Sequence, residues 1–458
     1  MDHTTKLTTY LEANLPEFTN DFVEWLKIPS ISTQQEFKND IHRAAVWIQN
    51  KLAETGFDSP ELIETKRHPL VYAHSVVDPK QPTLLIYGHY DVQPADPLEL
   101  WKNPPFDPTI KDGNIYARGA SDDKGQIMLV VAALKAWYAV YGAPPINIKI
   151  LLEGEEEAGG ASIAAFVPEN KEKLAADGVL ICDTHMPSSD QPSLITGLRG
   201  IIYTELKVCG SKTDLHSGSY GGVAPNPIHA LCLMISKLKT EDGKIQIPEL
   251  QDAIPTPTPA EKQFYQNDPL EIEKALYHEM GVSELVGESN YPPLERLGVR
   301  PTLEVHGIAG GFTSDGAKTV IPAEATAKIS LRIPPGLDPN IVFKWLQSSV
   351  ERVSPLGYKV QLTNIHAGSG VEVNQNNRFF EEAAASLEDV YKKAPVLLKE
   401  GGSIPIAALF DQVLHLPVVL MGFGLPDDNI HAPNEKFNLQ QFFLGMKTVA
   451  NYLGRLKL

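Results

Sequence analysis

The chain has 458 residues, of which 43% are hydrophobic, so it can bury a large core, and its length predicts two or three domains. Its 40 basic and 57 acidic side chains give a formal net charge of −17, which repels nucleic acid and anionic membrane surfaces, and we expect neither as a partner. Only three cysteines, no export signal and no apolar segment of membrane-spanning length together predict the cytoplasm.

The first part of the chain alternates between helical and strand-like segments. Apolar residues at helical spacing predict helices at 6–26, 44–55 and 127–141. Apolar, β-branched runs predict strands at 71–77, 83–87, 146–152 and 178–182. Alternation of this kind predicts an α/β sheet.

The pattern changes after Gly200 and returns after Gly368. The middle contains a Pro-rich polar stretch at 247–301, helices around 228–238 and 340–353, and strands near 201–208, 302–305, 325–333 and 358–364. The last part predicts helices around 379–391 and 439–456 and a strand-like run at 416–421. The sequence therefore predicts one α/β domain formed by residues 1–199 and 368–458, with a second domain, residues 200–367, inserted into it.

Five clusters of acidic and histidine residues lie at or near the ends of predicted strands or before a helix. They are His89 with Asp91, Asp122 with Asp123, the four glutamates within 153–157, Asp183, and the segment 428–435 with His431. Each alone has an ordinary explanation, such as a hydrogen-bonded histidine, a helix cap or a solvated loop. Ligands of open α/β sheets bind at the carboxyl ends of strands, so we expect these clusters to converge.

Two histidines and several carboxylates as candidate ligands suit zinc, cobalt or manganese better than an iron–sulfur or copper centre, and magnesium less well. Charge counting agrees with one arrangement, in which Asp122 bridges two ions, one held by His89 and Asp183 and the other by Glu157 and His431. Three carboxylates against two divalent ions leave +1, which a bridging hydroxide brings to zero, and that hydroxide would be the nucleophile. Glu156 could then transfer the proton.

These motifs resemble those of the dinuclear-zinc peptidase superfamily, which includes aminoacylases, glutamate carboxypeptidase, succinyl-diaminopimelate desuccinylase and carnosinase-like dipeptidases. Residues 88–94, 119–125 and 156–157 are similar to the superfamily's three N-terminal motifs in order and spacing. The resemblance implies a zinc-peptidase-like catalytic domain with an inserted α+β lid and dimerisation domain. It also implies a cis peptide between Asp122 and Asp123. By the same resemblance, Glu156 is the general base and Asp91 orients His89. The five implied metal ligands are His89, Asp122, Glu157, Asp183 and His431.

Within this superfamily, the sequence most resembles the cytosolic nonspecific dipeptidases. Residues 213–218, Thr-Asp-Leu-His-Ser-Gly, resemble their lid motif, which implies that His216 reaches the partner subunit's site in a homodimer and stabilises the oxyanion. Arg332 resembles the residue that binds the substrate's terminal carboxylate. Thr319, His366 and Ser403 match further substrate-contacting positions less specifically. Each residue also has an ordinary alternative. His216 could hydrogen-bond within its own turn, Arg332 could be a surface arginine, and the other three could simply form turns.

An aspartate at position 183 goes, by this resemblance, with aminopeptidases and dipeptidases, whereas a glutamate goes with carboxypeptidases and deacylases. We therefore predict a dipeptidase-type metallopeptidase for dipeptides or short peptides, with two divalent ions per subunit, zinc being favoured over manganese or cobalt. An N-acyl-amino-acid deacylase of the desuccinylase or deacetylase type is the alternative enzyme, and a catalytically silent binding protein on this fold is the alternative class. Glu155 departs from the superfamily pattern and adds negative charge beside Glu156.

Overall fold

A computed structural model describes residues 3–402 and 404–457, without the side chains of residues 3 and 279. The chain forms two compact units, one of Met1–Thr196, Val373–Leu398 and Ile406–Leu458 and the other of Gly197–Glu372 and Lys399–Pro405. Within the described residues, none of the helices combines the length and the apolar character that a membrane span needs.

Strands and helices alternate along the chain. In chain order the strands are β1 (Glu61–Ile63), β2 (Leu70–Ser75), β3 (Thr83–His89), β4 (Thr109–Lys111), β5 (Asn114–Tyr116), β6 (Asn147–Glu153), β7 (Gly178–Ile181), β8 (Ser193–Leu198), β9 (Gly200–Cys209), β10 (Leu215–His216), β11 (Thr302–Gly310), β12 (Val320–Ile321), β13 (Glu324–Ile333), β14 (Lys359–Gly368), β15 (Val371–Glu372), β16 (Val396–Glu400), β17 (Val418–Leu420) and β18 (Lys436–Asn438). The helices are α1 (His3–Leu26), α2 (Lys38–Thr55), α3 (Lys124–Tyr141), α4 (Ala161–Glu169), α5 (Lys171–Leu174), α6 (Ser217–Tyr220), α7 (Pro227–Leu238), α8 (Pro248–Asp252), α9 (Pro259–Asn267), α10 (Ile272–Met280), α11 (Pro293–Gly298), α12 (Pro339–Val353), α13 (Arg378–Tyr391), α14 (Pro405–Leu409) and α15 (Leu439–Arg455).

The largest sheet belongs to the first unit, where the strand order is β1-β2-β6-β3-β7-β17-β8. Its centre is parallel, because β6 pairs with β3, β3 with β7, and β7 with β17 in the same direction. β3 and β7 are buried along almost their whole length, as expected of parallel strands that are covered on both faces. The parallel centre brings the carboxyl ends of four strands to the same edge of the sheet.

Helices α1, α3 and α15 pack against one another in the first unit. α3 is buried from Lys124 to Leu134 without interruption, and such a helix, apolar on nearly every side, is stable only inside a core. Phe22 of α1 stacks on Phe442 of α15 with 5.2 Å between ring centroids. The start of α3, directly after Asp123, is therefore held in place by this helical core.

The second unit contains an antiparallel sheet of order β11-β13-β9-β14, against which α7 and α12 pack. Buried and half-buried residues alternate along the whole of β9, which is the period of two expected of a strand with one covered face. The core between sheet and helices includes Leu206, Leu231, Leu331 and Leu346. A parallel-centred sheet in one unit and an antiparallel sheet with helices in the other confirm the predicted fold class.

The Pro-rich stretch at 247–301 contains four short helices, α8 to α11, which the sequence pattern did not predict. Proline begins three of them, at Pro248, Pro259 and Pro293. Proline suits the first helical position because its missing N–H would have no intrahelical partner there. Thr258 and Glu261 also form a reciprocal capping box at the start of α9. These prolines begin helices instead of marking an irregular loop.

Candidate metal centre

The five predicted ligands lie in the first unit, at or after the carboxyl ends of its parallel strands or in the segments next to them. His89 is the last residue of β3, Asp183 lies two residues after β7, and Glu157 lies in a 3-10 helix, Glu156–Ala158, that follows β6. Asp122 precedes α3, and His431 lies in the loop between β17 and β18. The peptide bond between Asp122 and Asp123 is cis, as the resemblance implies.

The side chains of these residues form two triads that share Asp122. In the first, His89 Nε2 lies 3.0 Å from Asp122 Oδ1 and 3.7 Å from Asp183 Oδ2. In the second, His431 Nε2 lies 2.8 Å from Asp122 Oδ2 and 3.4 Å from Glu157 Oε1. Within each triad the candidate ligand atoms all lie within 4.8 Å of one another. One oxygen of Asp122 faces each histidine, which is the geometry that two neighbouring cations need from a shared carboxylate.

The hydrogen bonding of His89 tests whether a metal ion fits. Its Nδ1 lies 3.1 Å from the carbonyl oxygen of Asp91, which can only accept, so Nδ1 carries a proton. In the neutral ring, Nε2 then presents a lone pair to the carboxylates of the first triad. Nε2 of His89 and Oε1 of Glu157 are also buried, and neither has a hydrogen bond of suitable geometry among the described residues. A cation satisfies both atoms, so these residues fit divalent metal ions.

The histidines and carboxylates of the two triads shift one another's pKa values. Burial alone would lower the pKa of His89, but Asp122 and Asp91 raise it well above its usual range. A hydrogen bond with Asp122 and the nearby carboxylate of Glu157 raise the pKa of His431 to about 10. Burial raises the pKa of Asp122, and its contacts with the two histidines outweigh this and lower it. The carboxylates of the two triads therefore favour positive charge at both histidine positions.

Asp91 connects His89 to the segment that carries the glutamates. Its carboxylate accepts hydrogen bonds from the backbone amides of Glu156, at 3.2 Å, and Glu157, at 3.1 Å. The closest contact with the His89 ring is made by the Asp91 carbonyl, whereas the carboxylate Oδ1 lies 3.4 Å from Nδ1. The Asp91 carboxylate thus fixes the loop of Glu156 and Glu157, a role that the sequence did not reveal.

The two glutamates before Glu157 lie in different surroundings. Burial, reinforced by Glu157, Asp122 and Asp91 against the opposing charge of His89, raises the pKa of Glu156 to about 8. Glu155 is buried, and its carboxylate accepts hydrogen bonds from the amide of His68 at 3.0 Å and from the amide and hydroxyl of Ser162. Glu155 therefore anchors this loop to neighbouring segments.

Glu435 is the main residue of the centre that sequence reasoning missed. It is fully buried, and its carboxylate accepts hydrogen bonds from the Arg118 guanidinium and from the amides of Gly119, Ser121 and Asp122. Asp123 was likewise not assigned a role, although its Oδ2 accepts from the His89 amide at 3.2 Å. The only sequence signal for Glu435 was its position four residues after His431. The neighbouring residues in the sequence did not indicate that it is buried.

Four of the remaining predicted residues belong to the second unit. His216 is exposed, and its Nδ1 accepts a hydrogen bond from the Ser219 amide at 3.2 Å, so it caps the short helix α6. The neighbouring Thr319 is exposed, and its carbonyl accepts from the Ser217 amide. Arg332 is half-buried on β13, and His366 is exposed on β14. Ser403 lies outside the described residues.

The sequence of residues 85–455 matches that of peptidase family M20/M25/M40. The chain belongs to this family. It is 32% identical to the Cys-Gly metallodipeptidase dug1 of Schizosaccharomyces pombe, over 98% of both chains, and 30% identical to the Beta-Ala-His dipeptidase of Rattus norvegicus, over 98% of this chain and 94% of the relative. The structure of the di-peptidase Dug1p from Saccharomyces cerevisiae superposes with a TM-score of 0.86 at 30% identity, covering 100% of this chain and 99% of that one.

Membership of the M20 family confirms the predicted superfamily and the prediction of a dipeptidase-type metallopeptidase, since the two relatives, each matched over 98% of this chain, are named a metallodipeptidase and a dipeptidase. Two triads of potential ligands agree with a dinuclear metal site in a protein of this family.

Proposed function

We propose that this M20-family chain hydrolyses the peptide bond of dipeptides or short peptides at a site that holds two divalent metal ions. The observation that carries the proposal is the pair of triads sharing Asp122, in which His89 Nε2 and Glu157 Oε1 are buried without hydrogen-bond partners among the described residues. Relatives named Cys-Gly and Beta-Ala-His dipeptidases support dipeptides as the substrate class. The same names do not favour the alternative of an N-acyl-amino-acid deacylase.

In this proposal the five ligands are His89 and Asp183 for one ion, Glu157 and His431 for the other, and Asp122 for both. Divalent ions bound there would polarise the substrate carbonyl. They would also lower the pKa of a bound water, so that hydroxide is available at neutral pH. Charge and donor type favour zinc, with manganese or cobalt as alternatives. The protein's own contribution is to hold three carboxylates and two neutral imidazoles in register, with Asp91 fixing both His89 and the glutamate loop.

Glu156 is the proposed general base. It is not a member of either triad, yet it adjoins Glu157, and burial raises its pKa to about 8. A group with a pKa near the working pH can take a proton in one step and return it in the next, which suits transfer from water to the leaving amine. Bound cations would shift this pKa downward, toward the ionised form that a base requires.

Arg332 is the proposed partner of the substrate's terminal carboxylate. Burial lowers the pKa of Arg332. The pKa of Arg199 is lowered to about 10, first by its own burial and then by the positive charge of Arg332. The effect of the Arg332 charge on Arg199 indicates a positive potential around the two guanidinium groups, and such a potential favours a carboxylate ligand. The planar donor fork of arginine matches a carboxylate in two parallel hydrogen bonds.

We further propose a homodimer formed through residues 200–367, in which His216 stabilises the oxyanion in the partner subunit's site. Exposure of His216 supports this role, because its Nε2 remains available while Nδ1 caps α6. Thr319, His366 and Ser403 are proposed to contact substrate. The cytoplasm remains the proposed compartment, and the three cysteines, all unbridged, are consistent with it.

Turnover of a free dipeptide panel, beside N-acetyl and N-succinyl amino acids, tests the proposal. Metal-free protein is reconstituted with zinc, manganese or cobalt, and Glu156→Gln and the exposed Glu12→Gln are compared with the unaltered chain. We expect metal-dependent dipeptide cleavage that Glu156→Gln slows by about 10²–10⁴-fold and Glu12→Gln leaves unchanged. Activity confined to the acylated substrates would assign the deacylase function instead, and substrate binding without turnover would make the chain a binding protein.

A further inference from the structure

The side chain of Gln93 contacts the carboxylate of Glu157. Gln93 Nε2 lies 2.7 Å from Glu157 Oε2, and because a carboxylate only accepts, the amide must present its NH₂ group there. The other oxygen, Oε1, is buried, has no hydrogen-bond partner among the described residues and lies 3.4 Å from His431 Nε2. The two oxygens of Glu157 thus have different surroundings, one hydrogen-bonded by the protein and one facing the second triad.

The backbone around Gln93 is firmly held. The Val92 amide donates to the Ser30 carbonyl at 2.9 Å, and the Arg118 guanidinium donates to the Pro94 carbonyl at 3.1 Å. A flexible side chain on a fixed backbone can hold its partner in one orientation, because few of its rotamers reach the partner.

The side-chain amide of Gln93 suits this position because it is neutral as well as because it can donate a hydrogen bond. An ionised carboxylate at position 93 would repel Glu157 and add a fourth negative charge to the three carboxylates of the triads. An apolar side chain of equal length would leave Oε2 without a donor, and the Glu157 carboxylate could then rotate. Only a neutral donor holds Oε2 and preserves the charge balance of the cluster.

We infer that Gln93 is a positioning residue that restricts Glu157 to ligation through a single oxygen. A carboxylate that binds a cation through both oxygens fills two coordination positions, whereas one restricted to Oε1 fills one. Holding Oε2 therefore reserves a coordination position on the ion of the second triad for water or substrate. The inference rests on the proposed metal ligands and deepens that proposal.

Binding of Co²⁺ to metal-free protein tests the inference without reference to activity. Gln93→Met removes the donor at nearly equal length, Gln93→Asn keeps the amide but shortens its reach, and Gln263→Met is the control on an exposed helix surface. Calorimetry and visible absorption follow the two ions separately. We expect one Co²⁺ to bind about 10–100-fold more weakly in both Gln93 variants, with an altered absorption band, and the other to be unaffected.

The control variant is expected to keep both affinities and the wild-type spectrum. Unchanged affinities and an unchanged spectrum in Gln93→Met would overturn the role of Gln93, and should that variant fail to fold, Gln93→Asn decides by the same two readouts. A wild-type chain that binds fewer than two Co²⁺ ions would instead overturn the proposed metal site, so the two failures are distinguishable.

Discussion

The Glu435 carboxylate and the Arg118 guanidinium form a buried ion pair, with Nη1 and Oε2 2.8 Å apart, although 317 residues separate them in the chain. The same carboxylate accepts a hydrogen bond from the Asp122 amide at 3.2 Å. The loop that carries the shared aspartate is therefore fastened to the C-terminal part of the first unit. Both charged groups are almost completely buried, so their interaction is weakly screened by solvent.

We expect Glu435→Gln to destabilise the metal-free first unit by about 3–5 kcal/mol, because it leaves the Arg118 charge buried without its anion. Urea unfolding followed by tryptophan fluorescence measures the loss, and the exposed Glu12→Gln should stay within about 0.5 kcal/mol of the unaltered protein. If Glu435→Gln unfolds at the same urea concentration as Glu12→Gln, the ion pair does not hold the loop.

Metal affinity should rise with pH. The pKa of His431 is raised to about 10 in the metal-free cluster, so below that pH its Nε2 carries a proton that a metal ion must displace. For each proton released the apparent affinity gains about tenfold per pH unit, up to the raised pKa and not beyond it. Zinc competition with a chelator between pH 6 and 9 measures the slope, and calorimetry in buffers of different ionisation enthalpy counts the protons. A flat profile would show that the histidines are neutral before metal binds.

Arg332→Lys should weaken the use of substrates with a free terminal carboxylate. Lysine keeps the charge but loses the two-pronged donor geometry, and a loss of about 1.5–3 kcal/mol corresponds to about 10–150-fold in kcat/KM. The control is a dipeptide amide, which has no terminal carboxylate. The unaltered enzyme should use the amide poorly, and Arg332→Lys should use it equally poorly. A similar loss on both substrates would mean that Arg332 acts elsewhere.

Mixing two inactive variants tests the role of His216 in the partner subunit. In a heterodimer of Glu156→Gln and His216→Ala chains, one site would combine an intact Glu156 with the partner's intact His216. Random exchange makes half of the dimers heterodimers with one complete site each, so about a quarter of the wild-type activity should return. No recovery, or a monomeric mass by light scattering, would place the action of His216 within its own chain or remove it.

The sequence predicted the elements that have a strong local pattern. The helices at the two ends of the chain and the parallel strands β3 and β6 agree with their apolar spacing to within a few residues. The three-residue strands β4, β5 and β18 were not predicted, because so short a segment has no measurable period. Helices α8 to α11 were missed because proline was read only as a marker of irregular structure.

At the metal centre, residue types and their positions at strand ends predicted five clusters that should converge, and the family resemblance implied which side chain of each cluster is a ligand. A parallel sheet brings the carboxyl ends of its strands together whatever the details of packing, so the inference of convergence needs only local patterns and one topological rule. The same patterns did not distinguish the Asp91 carboxylate, which accepts from the amides of Glu156 and Glu157, from a group acting on His89.

Taken by itself, the sequence determined the family, the α/β class and the residue types of a dinuclear metal site, because these depend on period, composition and ordered motifs. Only the tertiary structure decided which oxygen of Glu157 faces His431 and that Glu435 is buried beneath Asp122. Those facts depend on hydrogen bonds and desolvation between segments up to hundreds of residues apart. The free energy of such contacts is set by three-dimensional surroundings that no local stretch of sequence contains.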